Sequence, residues 1–594
     1  MTACTHSRHA NPRHRASIEN HALKLPVKTL SNLRHSPLIA ALLAALAPLA
    51  TPTAMAADVA PPNAGTLLQQ VAPPTTPTPA SRPTGLTIDK QGGSALPDSA
   101  PFEVKALQIS GNTRFDSATL LALVAEAEGR RLTLAQLDAL ISRITEFYRR
   151  AGYPLARAIL PAQTISAGVV RIEVIEARFG SIRLDNRSAV SSRLLNDTLA
   201  AMRSGEVITQ GALDRSLLLA GDLPGLTLGA VLQPGQAVGS SDLLVNVGPG
   251  PVLSGDVVVD DHGNRFTGRT HLGAGLNWLN PLHQGDVLSA NLLSSGAGLN
   301  YGRLAYETQL NGQGTRAAGA YSALRYTLGD SAAALQAHGT AKVASLWLSH
   351  PLIRGVDHNQ RGQLQFDGLD LRDHVDASAI QSDRHVKLLT LSLAGDAIGK
   401  LLPGGANAWN LGLSAGWLNF DNAAAASADA STTRAQGSFS RLNLQLAHNQ
   451  ALTASTSLAL NLSGQRAQGN LDPSQKLSLG GPHNVRAYDS GALSGDSGYT
   501  LSVELRQVLT AANPAWGQWQ AVVFADSGHV TINQQPWQAG VNSATLSGLG
   551  LGLNWAGPDL WSARASVAAP VGSKTELSGV NRATRGWIEL LRGF

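Results

Sequence analysis

The second half of the chain is written in period two. Leu389, Leu391 and Leu393 alternate with Thr390 and Ser392, and Leu442, Leu444 and Leu446 with Arg441, Asn443 and Gln445. Leu458, Leu460 and Leu462 alternate with Ala459, Asn461 and Ser463, and Tyr499, Leu501, Val503 and Leu505 with Thr500, Ser502, Glu504 and Arg506. Successive side chains of a strand point to opposite faces, so each stretch predicts a strand with one apolar and one polar face. Helical periodicity is scarce after Val252. At roughly 20 residues per strand with its share of loop, residues 251–594 supply about 16 antiparallel strands.

Before Val252 the texture is mixed. Val104, Ala106, Gln108 and Ser110 alternate with Lys105, Leu107 and Ile109, predicting a strand that ends at Gly111-Asn112. Leu134, Leu137, Ile141, Ile144 and Tyr148 fall on one helical face, opened by Thr133 as N-cap and stopped by Gly152 with Pro154 beyond. Strands around 156–160 and 169–175 complete a β-α-α-β-β unit over 102–178. A weaker version of the same order fills 179–250, and Gly248-Pro249-Gly250-Pro251 marks its end. Residues 58–101 carry Pro61-Pro62, Pro73-Pro74, Pro77, Pro79, Pro83 and Pro97 and predict an extended tether. A short helix within 63–71 is the one exception, marginal unless something receives it.

Residues 1–57 predict a secretory signal. Six cations from Arg8 to Arg34 precede the apolar run Leu38–Ala50 and the small-x-small pattern Ala54-Met55-Ala56. At roughly a dozen apolar residues the run is too short to span a bilayer. Its removal changes the charge picture. The whole chain holds 46 Lys and Arg against 41 Asp and Glu; the first 57 residues hold six and one of these, leaving forty of each. No basic field remains for nucleic acid. The single cysteine, Cys4, leaves as well, so disulfides, a zinc–thiolate site and a cysteine nucleophile are excluded.

Alternation alone does not say which face meets solvent. A soluble sandwich turns the apolar face inward, and a membrane barrel turns it towards lipid. The export signal, the missing thiols, the long run of strands and the terminal Phe594 select the barrel. Because a free sheet edge is prohibitive in hydrocarbon, the sheet must close.

These features resemble the two-partner secretion transporters, the TpsB class of the BamA-like outer-membrane superfamily. Phe147-Tyr148-Arg149-Arg150-Ala151-Gly152-Tyr153-Pro154-Leu155-Ala156 is typical of that group's first POTRA module. Asn264 to Gly268, Asn280-Pro281 with Gly285-Asp286, and His350 to Arg354 match its early barrel strands. The most specific stretch is Leu479 to Tyr488, similar to the inward-folded sixth loop whose tip reads Val-Arg-Gly-Tyr. Here the tip is Val485, Arg486, Ala487 and Tyr488. Phe524, Asp526 and Gly528 match the Phe-x-Asp-x-Gly strand that meets this loop.

The resemblance implies a membrane all-β barrel in the outer membrane, preceded by two periplasmic α/β POTRA domains. It implies an export pore that binds an unfolded TpsA-type exoprotein, in some members also activating a haemolysin or adhesin. It places docking on the first POTRA at Phe147, Tyr148, Gly152, Tyr153 and Pro154, and assembly signalling at Phe594, read by the outer-membrane barrel-assembly machinery. Lipid is the remaining partner, and neither a cofactor nor a metal is implied. The alternative is an insertase of the same superfamily. Two departures stand out. Ala487 replaces the tip glycine, which would strain a left-handed backbone. Arg592 shares the outward row with Leu590 and Phe594 and has to snorkel.

Four other features fail on context. Gly495-Asp496-Ser497-Gly498 resembles a serine nucleophile loop without its histidine and aspartate partners. Gly395 to Lys400 is one residue short of a phosphate loop. Gly548, Gly550 and Gly552 lie at period two in a strand, the wrong setting for a dinucleotide loop. His262, His283 and His350 lack metal-ligand spacing.

Overall fold

The computed structural model describes residues 61–71, 85–88, 99–165, 167–400, 402–509, 514–572 and 583–594. The expected signal, and most of the Pro-rich tether, lie outside them. From Leu253 to Gly593 sixteen antiparallel strands form one closed barrel, each paired with its neighbour in sequence. The first strand, Leu253–Asp260, pairs with the last, Arg585–Gly593, so no edge faces hydrocarbon. Between Thr456–Ala467 and Ser497–Leu509, which pair directly, residues 468–496 fold inward and carry a small hairpin, Leu477–Leu479 with Leu493–Gly495.

The two faces of the wall differ as a membrane requires. Leu346, Leu391 and Leu413 are 64%, 60% and 56% exposed on the outside, with Trp278, Tyr321, Phe366 and Trp417 among them. Apolar side chains of this size that meet no protein meet lipid. Asp367, Arg384, Gln465 and Asp526 are buried on the inside. Arg592 does point outward, and its guanidinium lies 5.2 Å from the Trp561 ring.

The lumen is not polar throughout. Leu324, Leu369, Leu371, Val386 and Leu388 face inward and, with Leu471, enclose the helix Ala64–Val71. This helix is the two-turn element expected between 63 and 71. Asn63 and Thr66 cap it reciprocally: Thr66 N–H donates to Asn63 Oδ1 at 3.1 Å, and Asn63 N–H to Thr66 Oγ1 at 2.9 Å. Eight residues do not hold a helix in water. The apolar berth, contacting Ala64, Leu67 and Val71, supplies what the segment lacks.

The first POTRA module follows the expected order with one break. Phe102–Val104 pairs with Arg130–Leu132, whereas Ala106–Ser110 pairs in parallel with Val169–Ile175. The interruption at Lys105 reverses the alternation, so Val104 and Leu107 are both buried. Thr133 and Gln136 form a capping box on the helix Leu134–Arg150, and Gly152 ends it at φ +91°. In the second module Arg178–Asn186, Ser240–Pro249 and Leu226–Pro234 form a sheet over helices Ser192–Leu199 and Gln210–Gly221. A piece of the tether, Leu86–Ile88, adds a parallel strand beside Leu226–Pro234.

This second module docks on the barrel's turns. Asp222 grips Arg354 through two bonds, at 2.7 and 2.9 Å, and its carbonyl accepts from Arg316 at 3.0 Å. Arg215 donates to the Pro351 carbonyl at 3.0 Å, and Ser191 N–H to that of His283 at 2.9 Å. The motifs at 280–286 and 350–354 are therefore the seat of the second POTRA.

Glu176 anchors the first module. It accepts from Thr113, from the Arg114 N–H at 2.9 Å and from the Tyr148 hydroxyl at 2.8 Å. Burial alone would raise its carboxyl, but these bonds outweigh it and hold it below the ordinary glutamate value. A group with a depressed folded value stabilises above its unfolded pKa of about 4.3, and that stability is lost as pH falls through the folded value. In a periplasmic fragment covering 99–250, Glu176→Gln is expected to cost about 1–3 kcal/mol by urea titration at pH 7. The cost should shrink as the pH is lowered below 4; one that grows instead contradicts the assignment.

Candidate functional site

Residues 468–496 turn back into the lumen from the barrel end opposite the POTRA modules, and their tip rests on the wall strand Gln518–Thr531. Period two turns Phe524, Asp526 and Gly528 of that strand inward. Arg486 meets all the polar groups there. Its Nε and Nη2 donate to the two Asp526 oxygens at 2.8 and 2.7 Å, and its backbone N–H donates to Asp526 at 3.1 Å. Nη1 reaches Glu504 at 2.7 Å and Nη2 reaches Ser502 at 3.0 Å. Arg506 takes the other Glu504 oxygen at 2.6 Å, so two cations and two carboxylates alternate. The guanidinium also lies 3.3 Å from the centre of the Phe524 ring. Such bidentate, charge-assisted contact suits arginine and not lysine.

The glycines around this contact are spaces. A Cβ on Gly528 would stand 2.8 Å from a Leu479 methyl and 3.1 Å from a Val485 methyl. On the next strand, Ser543–Ala556, a Cβ on Gly548 would stand 2.4 Å from the Ala487 methyl, and one on Gly550 2.3 Å from the Phe524 ring. Gly548 thus leaves room for the tip itself, and Gly550 for the Phe524 ring on which Arg486 lies. Ala487 itself is unstrained, contrary to expectation. It is absent from the positive-φ residues, and Tyr488 N–H closes the turn on the Val485 carbonyl at 3.1 Å. The left-handed positions fall to Gly480 and Gly481, at φ +94° and +110°.

The tip also bridges the barrel's closure. Trp587 Nε1, on the last strand, donates to the Arg486 carbonyl at 2.7 Å. Asp489 binds Arg585 of that strand at 2.6 Å and Arg269, just beyond the first strand, at 3.0 Å. Higher up, Lys476 pairs with the buried Asp496 at 3.0 Å, giving the supposed nucleophile loop a structural task. Asp472 receives the buried Arg384 at 2.5 Å. Arg384 also holds Asp373 at 2.6 Å, and Asp373 accepts the first helical N–H, from Ala64, at 2.7 Å. Gln69 donates to the Lys476 carbonyl at 2.8 Å. Helix, loop and wall therefore share one buried network.

Other expected residues lie elsewhere. Tyr148 is 1% exposed, bonded to Glu176 and packed in an aromatic cluster with Phe115, Phe147 and Tyr153; no exoprotein can touch it. Gly152 gives its carbonyl to Gln210 N–H at 2.9 Å, and Leu155 packs on the second module's core, so this stretch joins the two modules. Half-buried Phe147, Tyr153 and Pro154 keep some accessible surface. Phe594 exchanges backbone bonds with Gly255 and stays 60% exposed on the lipid side. Glu504, Arg506 and Trp587 were not singled out from the sequence. The first two stand in the polar row of a recognised alternation; Trp587 had no such signal.

The profile of the "Haemolysin secretion/activation protein ShlB/FhaC/HecB" family matches residues 239–555, and that of the "POTRA domain, ShlB-type" matches 102–177. The chain belongs to this family. It is 31% identical to the heme/hemopexin transporter protein HuxB of Haemophilus influenzae (strain ATCC 51907 / DSM 11121 / KW20 / Rd) over 507 residues, 83% of this chain and 87% of that one. It is 25% identical to the outer membrane transporter CdiB of Escherichia coli, over 76% of each. The solved CdiB from Escherichia coli superposes with a TM-score of 0.67 at 23% identity, covering 86% of this chain and 94% of that one, and shares the fold. The protein is thus an outer-membrane transporter of the two-partner secretion type, its POTRA domains in the periplasm, exporting a TpsA-type exoprotein through the barrel.

Removing either charge from the contact between Arg486 and Asp526 leaves the other buried without its partner, a loss of about 3–5 kcal/mol. Arg486→Ala and Asp526→Ala should each lower the temperature at which the detergent-held barrel loses its folded gel mobility. The double variant should be no worse than the poorer single, since both remove one shared interaction. Additive losses would contradict the pairing.

Proposed function

We propose that the Arg486 contact is the lock of the export pore. In the resting state the tip on Asp526 and the helix Ala64–Val71 in its apolar berth together occupy the lumen. An arriving exoprotein releases both, and the unfolded chain passes along the polar wall. The observation that carries this reading is the placement of Arg486 between Asp526 and Glu504 inside a closed barrel. Arg384 ties the helix's first N–H, through Asp373, to the loop's Asp472, so displacing one element leaves charge without a partner in the other.

Capture begins at the POTRA modules, where an extended segment adds to a sheet edge by backbone hydrogen bonds. One edge of the second module is already taken by Leu86–Ile88, which favours the first module as the site of first contact. There the accessible rims of Phe147, Tyr153 and Pro154 act, while Tyr148 and Gly152 support them from within. Folding of the emerging exoprotein outside hinders its return and supplies direction. Phe594, at the exposed end of the last strand, serves assembly by the barrel-assembly machinery. The name of HuxB makes an exoprotein that engages heme or hemopexin the first cargo to try.

Arg486→Ala and Asp526→Ala are each expected to abolish secretion of the cognate exoprotein, measured in the medium and on the surface, while the barrel still assembles. Normal secretion by both variants rejects the lock. Deleting 102–178 should remove exoprotein binding to the purified periplasmic region, and unchanged binding rejects the docking assignment.

A further inference from the structure

The lipid-facing wall carries a notch in its leucine band. Along one outward register row stand Ala274, Leu292, Gly302, Ala323 and Lys342, on the second to sixth barrel strands. Gly302 and Ala323 are adjacent, so two small residues interrupt the band between Leu292 and the row below, Leu304 and Tyr321. The resulting groove has a volume of about 620 Å³ and is apolar along its floor. That volume lies within the roughly 300–1,000 Å³ of small-ligand sites.

One end of the groove is charged. Arg325 and Lys342 both border it and both are exposed. Neither has an ion-pair partner among the described residues. Asp370, directly across from Lys342, is engaged by Arg372 instead. Arg325 faces Thr340, which makes Arg325 and Lys342 diagonal neighbours, about 7–8 Å apart. A tetrahedral anion can bridge that span.

The strands fix the depth of this pair. Arg316, at the start of the strand that carries Arg325, touches Asp222 of the second POTRA and so marks the periplasmic boundary. Nine residues further on, at about 3.3 Å each and a tilt near 40°, Arg325 lies roughly 23 Å across the membrane. An outward apolar band is about 25 Å tall. The two cations therefore stand at the headgroups of the outer leaflet, with the groove running below them into the acyl layer.

We propose that this groove holds one acyl chain of a phosphate-bearing lipid of the outer leaflet, the lipid A moiety, with a phosphate between Arg325 and Lys342. The groove supplies shape and the cations supply headgroup choice. The site is separate from the lumen and does not depend on the export reading.

Native mass spectrometry of the detergent-held full chain, titrated with bisphosphorylated lipid A, with the same lipid lacking phosphates and with phosphatidylglycerol, tests it. One lipid A should remain bound per barrel, ahead of the other two. The double variant Arg325→Gln, Lys342→Gln should weaken lipid A binding by about thirtyfold and leave the dephosphorylated lipid unchanged. Gly302→Leu should weaken both, because it fills the groove. A Cβ there meets only a Leu292 methyl at 3.4 Å, so the backbone accepts the change. Should this variant fail to show folded gel mobility, Ala323→Leu fills the same space. Equal binding of phosphorylated and dephosphorylated lipid, unchanged binding by the charge variant, or phosphatidylglycerol held as tightly as lipid A would each overturn the proposal.

Discussion

The pairing of Leu253–Asp260 with Arg585–Gly593 is the constraint on which the rest depends. Without it two strands would present unpaired N–H and C=O groups to hydrocarbon, where no water can satisfy them. The joint is narrow: five residue pairs close the barrel, against eighteen between His358–Val375 and Ile380–Ile398. The inward loop meets it from inside. Asp489 joins Arg585 of the last strand to Arg269 beyond the first, and Trp587 holds the Arg486 carbonyl. The same loop that occupies the lumen also spans the barrel's shortest ladder.

Closure makes the lumen a confined space, and confinement gives the Arg486 contact its strength. A guanidinium against Asp526 and Glu504 in open water would gain little. Here the Asp526 side chain is fully buried, and apolar contacts from Phe524, Val485 and Leu479 surround the pair. The glycines at 528 and 548 let the tip come so close. Lumen and lipid face thus follow opposite rules on the same strands: Arg486, Arg384 and Lys476 are ion-paired and enclosed within, while leucines and aromatics are exposed outside.

Much of this was legible in the residues. Period two carried the strands, length their number, and the export signal with the missing thiols and Phe594 the choice of a barrel with outward leucines; Val485–Tyr488 with Phe524–Gly528 carried the contact. What escaped has physical causes. Leu388 and Leu389 are both apolar, one inward and one outward, so alternation could not reveal the berth of the helix. Lys105 separates two strands with different partners, which no single period describes. Tyr148 belongs to a recognisable motif, but its hydroxyl serves Glu176, and a motif does not say whether an aromatic ring is a surface or a core. Ala487 looked strained because the turn was assumed to need a left-handed residue; two upstream glycines take that conformation instead.

The central claim is that the exoprotein travels through the polar interior while the leucine rows face lipid. A photo-crosslinking residue placed at Asn461 or Asn443, on the inner wall, and at Leu442 or Leu446, on the outer, tests it during active secretion. The account predicts exoprotein adducts at the two inner positions and none at the outer ones. Adducts at Leu442 and Leu446, with Asn461 and Asn443 silent, would contradict it.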